Sequence, residues 1–164
     1  PNVRFNQYMI EVHIPGFRDL QISHIVCDYN GTLALDGVLL PGVRDSLTAL
    51  ALDVDIYVIT ADTFGIAENQ LSELPVKLKI IPLEYQAEAK FEFISALGAE
   101  NVFAIGNGMN DRKMLQSAAV GVALIQREGA SAATQACADV VSLSILDSLD
   151  LLRNPKRLIA TLRS

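Results

Sequence analysis

The chain has 164 residues, which at about 100–200 residues per domain is one domain with no room for a separate lid. Hydrophobic residues make up 51% and charged residues 20%, ample for a single buried core, which excludes disordered and fibrous architectures. A net charge of −6, from 13 basic and 19 acidic side chains, with a pI near 4.8 and no Lys/Arg block or aromatic-basic stripe, argues against nucleic-acid and anionic-membrane partners.

A mean hydropathy of +0.31 raises the question of a membrane span. The longest uncharged stretch, Met114 to Gln126, falls well short of the roughly 18–20 apolar residues that a spanning helix needs. A soluble protein is expected, and with no signal peptide the cytoplasm is the default, although a first residue of Pro suggests a start further upstream. Cys27 and Cys137 sit in apolar surroundings without CxxC or Cys/His spacing, so neither a disulfide framework nor a zinc site is expected.

In chain order, Tyr8–Ile14 alternates like a strand, and residues 15–19 (PGFRD) read as a turn, so a hairpin or added edge strand should open the fold. Six β-branched-rich runs follow: Ile22–Asp28, Asp55–Thr60, Val76–Pro82, Asn101–Ile105, Val120–Ile125 and Asp139–Leu143. They are too short for buried helices and suit strands covered on both faces. Helices are expected over Val43–Leu52, Thr63–Leu74, Gln86–Leu97 closed by Gly98, Asp111–Ala118, Ser131–Ala138, Ile145–Leu152 and Pro155–Leu162, the last with Pro at its start. The interval from Leu33 to Ile56 is expected to hold only a loop and one helix. Regular alternation of strand and helix implies an α/β fold with a mostly parallel sheet.

In such a sheet ligands bind beyond the carboxyl ends of the strands, so the residues that follow each run are the informative ones. Asp28-Tyr29-Asn30-Gly31-Thr32 places a carboxylate at a strand end before a Gly-Thr turn. Thr60-Ala61-Asp62 offers a hydroxyl and main-chain N–H groups, Lys90 lies early in a helix, and Gly106-Asn107-Gly108-Met109-Asn110-Asp111 follows the fourth run. A carboxylate nucleophile, a hydroxyl donor, a fixed cation and an acidic-amide loop together suit phosphoryl transfer through an aspartyl-phosphate. The Gly106-Asn107-Gly108 turn lacks the third glycine of a dinucleotide site. His13 and His24 have no partner at ligand or triad spacing. Cys27 reads as a packed small hydrophobe, and Asp62 either shapes the phosphate loop or caps the helix after it.

The set resembles the four motifs of the haloacid dehalogenase superfamily, Asp-x-Asp-Gly-Thr, Thr/Ser, Lys and Gly-Asp-Gly-x-Asn-Asp, in order across residues 28–111. Gly121-Val122-Ala123-Leu124, Glu128-Gly129-Ala130-Ser131 and Gln135–Val141 further resemble the phosphorylation domain of P-type ATPases and its soluble relatives. The resemblance implies a three-layer αβα Rossmann-like core without a cap, forming one domain over 1–164. It implies a Mg²⁺-dependent phosphohydrolase with Asp28 as nucleophile and Asn30, Thr60 and Lys90 completing the catalytic set. Thr60, Ala61, Lys90, Gly31 and Thr32 would bind phosphate, and Asp28, Asn30, Asn107 and Asp111 would hold the metal. The substrate would be a small phosphorylated molecule or a phosphoprotein.

Two positions depart from that pattern: residues 30 and 107 are Asn where most family phosphatases carry Asp. An amide cannot exchange a proton, and a general acid–base group typically contributes about 10²–10⁴ in rate, so phosphomonoester hydrolysis should lose about 3–5 kcal/mol of transition-state stabilisation. Asn107 removes one anion, which predicts weaker Mg²⁺ binding. A non-catalytic phosphate-binding regulator and an accessory protein of a transport ATPase are the alternatives. An uncapped site also predicts a homo-oligomer, with the N-terminal hairpin at the interface.

Overall fold

The computed structural model of the protein describes residues 9–62 and 64–164. Six parallel strands form the central sheet: β3 (His24–Asp28), β6 (Asp55–Thr60), β7 (Lys77–Ile80), β8 (Val102–Gly106), β9 (Val120–Leu124) and β10 (Val140–Ser142), in the order β10-β9-β8-β3-β6-β7. The first of them, β3, therefore lies inside the sheet, and the chain winds outward from it to β7 on one side and then to β10 on the other. Its two neighbours, β6 and β8, run in opposite winding directions, so their connections diverge and open a crevice at the carboxyl end of β3. Asp28 is the last residue of that strand.

Alternation along the strands sorts side chains to two faces. Ile25 and Cys27 of β3 with Phe103 and Ile105 of β8 join one core, which also takes in Leu47 and Leu50 of α1 (Val43–Leu50), Ala67 and Leu71 of α2 (Ile66–Leu71), and Leu149 and Leu152 of α6 (Ile145–Arg153). Val26, Val102 and Ala104 join the other, against Ile94 of α3 (Gln86–Leu97) and Met114 and Leu115 of α4 (Arg112–Ser117). Two remaining helices, α5 (Ala132–Cys137) and α7 (Pro155–Leu162), complete the helical layers. Covering on both faces explains why these strands read as continuous apolar runs.

The expected N-terminal strand begins at Tyr8, outside the described residues. Within them, β1 (Ile10–His13) pairs antiparallel with β2 (Asp19–Ile22) as a separate hairpin. The run read as one strand over Ile22–Asp28 thus divides at Ser23. Val12 and Ile14 of the hairpin pack into the first core beside Leu158 of α7, and Arg18 donates to the carbonyls of Ala118 and Ala119 at 3.4 and 2.6 Å, satisfying acceptors at the end of α4.

Two expectations need correction. The second helix is shorter than 63–74: Thr63 lies outside the described residues, and the helix begins at Ile66. The interval after Leu33 also holds a small hairpin, β4 (Ala34–Leu35) with β5 (Val38–Leu39), turned by Asp36 (φ 50°) and Gly37 (φ 87°). An Asp-Gly pair with both residues at positive φ is a favoured hairpin turn. The flanking strands of two residues each carry no periodicity to reveal it.

Phe103, fully buried in β8, tests the core: Phe103→Ala should lower unfolding free energy by about 3–5 kcal/mol, measured by urea denaturation.

Candidate functional site

The crevice beyond β3, β6 and β8 is an open cleft of about 380 Å³ lined by Asp28, Asn30, Thr60, Ala61, Asp62, Phe64, Ile66, Gln86 and Asn110. Four separate segments therefore meet there, each delivered by a strand end or by the first turns of α3.

Lys90 lies on the inward face of α3 and is 1% exposed. Its ammonium donates to Asp28 Oδ1 at 3.0 Å, to Asp111 Oδ1 at 2.7 Å and to Asn110 Oδ1 at 3.1 Å. All three of its N–H donors are thereby satisfied. Asp111, fully buried, accepts with its other oxygen, Oδ2, from the main-chain N–H groups of Asn107 and Gly108 at 3.0 and 2.9 Å. It thus braces the loop after β8 from inside and holds Lys90 in place. Gly106 makes room for this arrangement, since a Cβ there would collide with the Asp111 carboxylate.

Electrostatics follow from two carboxylates sharing one ammonium. Burial, and then the Asp111 charge, push the Asp28 pKa up to about 7, while Lys90 and the Tyr29 main-chain amide pull the other way. Burial works against the Lys90 ammonium, but Asp111 and Asp28 outweigh it and hold its pKa above the ordinary value. Burial raises the Cys27 thiol well beyond its usual range, which fits a packing role beside the nucleophile.

Thr60, at the end of β6, and Ala61 line the cleft. Gly31 and Thr32 do not: the Gly31 N–H is committed to the Ala34 carbonyl at 2.8 Å and the Thr32 N–H to the Tyr29 carbonyl at 3.2 Å, so neither is free for a phosphate. Asp62 accepts from the N–H groups of Phe64 and Ala67 at 3.2 and 2.8 Å, which assigns it to shaping the turn into α2. Asn30 accepts from the Gly37 N–H at 3.1 Å, and the Tyr29 hydroxyl donates to the Gly37 carbonyl at 2.7 Å. The small hairpin is therefore fastened to the residues that follow Asp28.

Sequence reading passed over the segment after β9 as a source of contacts. Gln126 donates to the carbonyls of Gly31 and Thr32 at 3.2 and 3.0 Å and accepts from Ile145 N–H at 2.9 Å. Asn107 Nδ2 donates to the Gly129 carbonyl at 3.1 Å, and Ser131 N–H to the Asn107 carbonyl at 2.9 Å. His13 pairs with Asp19 across the N-terminal hairpin, and His24 packs edge-on to Tyr57 at 5.8 Å; neither lines the cleft.

A model of haloacid dehalogenase-like hydrolases matches residues 92–146. An uncharacterised protein of Methanocaldococcus jannaschii is 40% identical over 92 residues, 52% of this chain and 99% of that protein. Among solved structures, the 3-deoxy-D-manno-octulosonate 8-phosphate phosphatase of Moraxella catarrhalis, in complex with magnesium, phosphate and its sugar, superposes with a TM-score of 0.63 at 18% identity, over 87% of this chain and 94% of that one. The cobalt-bound deoxy-D-mannose-octulosonate 8-phosphate phosphatase of Haemophilus influenzae gives a TM-score of 0.64 at 16% identity, over 87% of this chain and 94% of that one.

Because the Asp28 pKa is higher in the folded than in the unfolded chain, ionising it costs stability, a penalty that builds above the ordinary carboxyl pKa of 3.8 and is complete above about pH 7. Without divalent cations the melting temperature should therefore rise as pH falls from 8 to 5.5. Asp28→Asn should raise it at pH 8 by several degrees, for roughly 1–3 kcal/mol; thermal melts of both proteins check this.

Proposed function

This chain belongs to the haloacid dehalogenase-like hydrolases, and on that premise we propose that it is a Mg²⁺-dependent phosphohydrolase of a single domain, acting through a phosphorylated Asp28. The observation that carries this reading is the Asp28–Lys90–Asp111 arrangement: a carboxylate at the mouth of the crevice with one oxygen held by a buried ammonium. Asp28 Oδ1 is fixed by Lys90, while Oδ2 has no side-chain donor among the described residues. The nucleophile is thus oriented and its second oxygen is available for attack.

In the first step Asp28 Oδ2 forms a bond to phosphorus as the bond to the leaving group breaks. The Thr60 hydroxyl donates to a non-bridging oxygen, and Lys90 balances the charge that gathers between nucleophile and phosphoryl group. In the second step water attacks phosphorus, the Asp28 carboxylate departs, and inorganic phosphate is released. Thr60 and Ala61 carry the phosphate contacts.

A divalent cation fits the remaining donors. The Asn30 main-chain carbonyl and Asn107 Oδ1 accept no hydrogen bond among the described residues, and together with the Asp28 carboxylate they are oxygens of the kind that suit a hard cation. No three His, Cys, Asp or Glu side chains among the described residues converge to hold a metal by themselves, so the site relies on the carbonyl and the amide. Asp111, with both oxygens committed to Lys90 and the loop, acts from behind. When bound, Mg²⁺ supplies charge neutralisation at the transferring phosphoryl group.

Asn30 sets the substrate class. Its amide is engaged in fastening the hairpin and has no proton to deliver, so a leaving group that departs as a stable anion, from an acyl phosphate or a phosphoanhydride, is favoured over an alcohol. This supports the branch resembling P-type ATPase phosphorylation domains over sugar-phosphate phosphatases.

With Mg²⁺, acetyl phosphate should be hydrolysed, and Asp28→Asn should abolish that turnover. Asn30→Asp should raise the rate on an aryl or sugar phosphate by about 10²-fold or more. Silence of wild type and Asn30→Asp alike on all three substrate types contradicts the catalytic reading and favours a phosphate-binding regulator.

A further inference from the structure

The acid missing at position 107 has a counterpart on a different loop. Gly31 sits at φ +79°, and a Cβ there would collide with the Glu128 carboxylate and come within 2.6 Å of Asn107 Nδ2. Three segments remote in sequence therefore converge on one point of the loop that follows Asp28. The left-handed backbone at Gly31 favours glycine there.

The segment carrying Glu128 is pinned on both sides. Gln126 is tied to the carbonyls of Gly31 and Thr32, and Gly129 and Ser131 are tied to Asn107. The contact from Asn107 Nδ2 to the Gly129 carbonyl needs an amide donor; a carboxylate at 107 would set oxygen against oxygen and repel that loop. Asn107 gives up a charge and in exchange fastens the segment that delivers another. Glu128 itself has no hydrogen bond or ion pair among the described residues, and it lines a cavity of about 320 Å³ together with Asn30 and Asp36.

Resting on the reading of the site as a Mg²⁺ site, we infer that Glu128 supplies the second net negative charge of that site, relocated from position 107. Asp62 also lines the cleft, but both of its oxygens are committed to the N–H groups of Phe64 and Ala67; Asp28 and Asp111 against Lys90 leave one uncompensated negative charge, to which Glu128 adds another. The same relocation accounts for the loop sequence Glu128-Gly129-Ala130-Ser131: the acid would face a bound cation, while Gly129 presents its carbonyl to Asn107 and Ser131 gives its N–H to the Asn107 carbonyl.

Calorimetric titration of the full chain with MgCl₂ tests this, using wild type, Glu128→Gln, Asp28→Asn and Glu84→Gln, an exposed acid on another loop. Glu128→Gln should weaken Mg²⁺ binding about tenfold or more and reduce the Mg²⁺-induced rise in melting temperature, while its melting temperature without Mg²⁺ stays unchanged. Glu84→Gln should bind as wild type does. Wild-type affinity in Glu128→Gln, with binding lost in Asp28→Asn, overturns the role of Glu128 and leaves the proposed function standing. Equal weakening by Glu84→Gln also overturns it, as a general surface-charge effect. No binding by wild type at millimolar Mg²⁺ overturns both.

Discussion

One buried ammonium organises this site. Lys90 is shared between Asp28, which ends the innermost strand of the first half of the sheet, and Asp111, which braces the loop after β8. Lys90 is the one cation of the three: removing it leaves both carboxylates without a counter-charge in a poorly solvating interior, a loss that for a buried ion pair is typically about 3–5 kcal/mol. Three segments are therefore constrained to one geometry: β3, the early turns of α3 and the loop at 106–111. The constraint is electrostatically unbalanced, and burial, with the Asp111 charge adding to it, raises the pKa of Asp28. On the proposed reading, this excess negative charge is what a cation and the transferring phosphoryl group would act on.

Around this centre the loops are tied to one another more than to the sheet. The hairpin at 34–39 is held to Tyr29 and Asn30, and the 126–131 segment is held to Gly31, Thr32 and Asn107. Asn30 and Asn107 both use their amides in these ties. Two positions at which the superfamily pattern expects acids thus serve as fasteners between loops. Exposed apolar side chains such as Phe64, Tyr85 and Leu143 stand at strand-end loops on the same side of the sheet as the crevice.

Much of this was legible in the sequence, for physical reasons. Strands buried on both faces appear as unbroken β-branched runs, and all six were found in order; α3 and α7 match their expected limits because Gly98 and Pro155 mark an end and a start chemically. Order and spacing singled out Asp28, Thr60, Lys90 and Asp111; the structure joins Lys90 to Asp28 and Asp111 and lines one cleft with Asp28 and Thr60. What escaped depends on contacts between distant residues. Gln126 reaches Gly31 and Thr32 across more than ninety positions, and no local pattern announces that. The division of labour between Asp111 and the other oxygens appears only once both of its carboxylate oxygens are seen to be engaged. The 34–39 hairpin had a turn signal in Asp36-Gly37, but strands of two residues cannot show a period.

The central claim is that Asp28, oriented by Lys90, becomes covalently phosphorylated. Incubating the protein with acetyl phosphate and Mg²⁺, quenching in acid and mapping peptides by mass spectrometry measures this directly. The account predicts a single phosphorylated site at Asp28 that is stable in acid, released by hydroxylamine or base, and absent in Lys90→Met. Phosphate release by the wild type with no adduct at Asp28, or with the adduct on another residue, would contradict it.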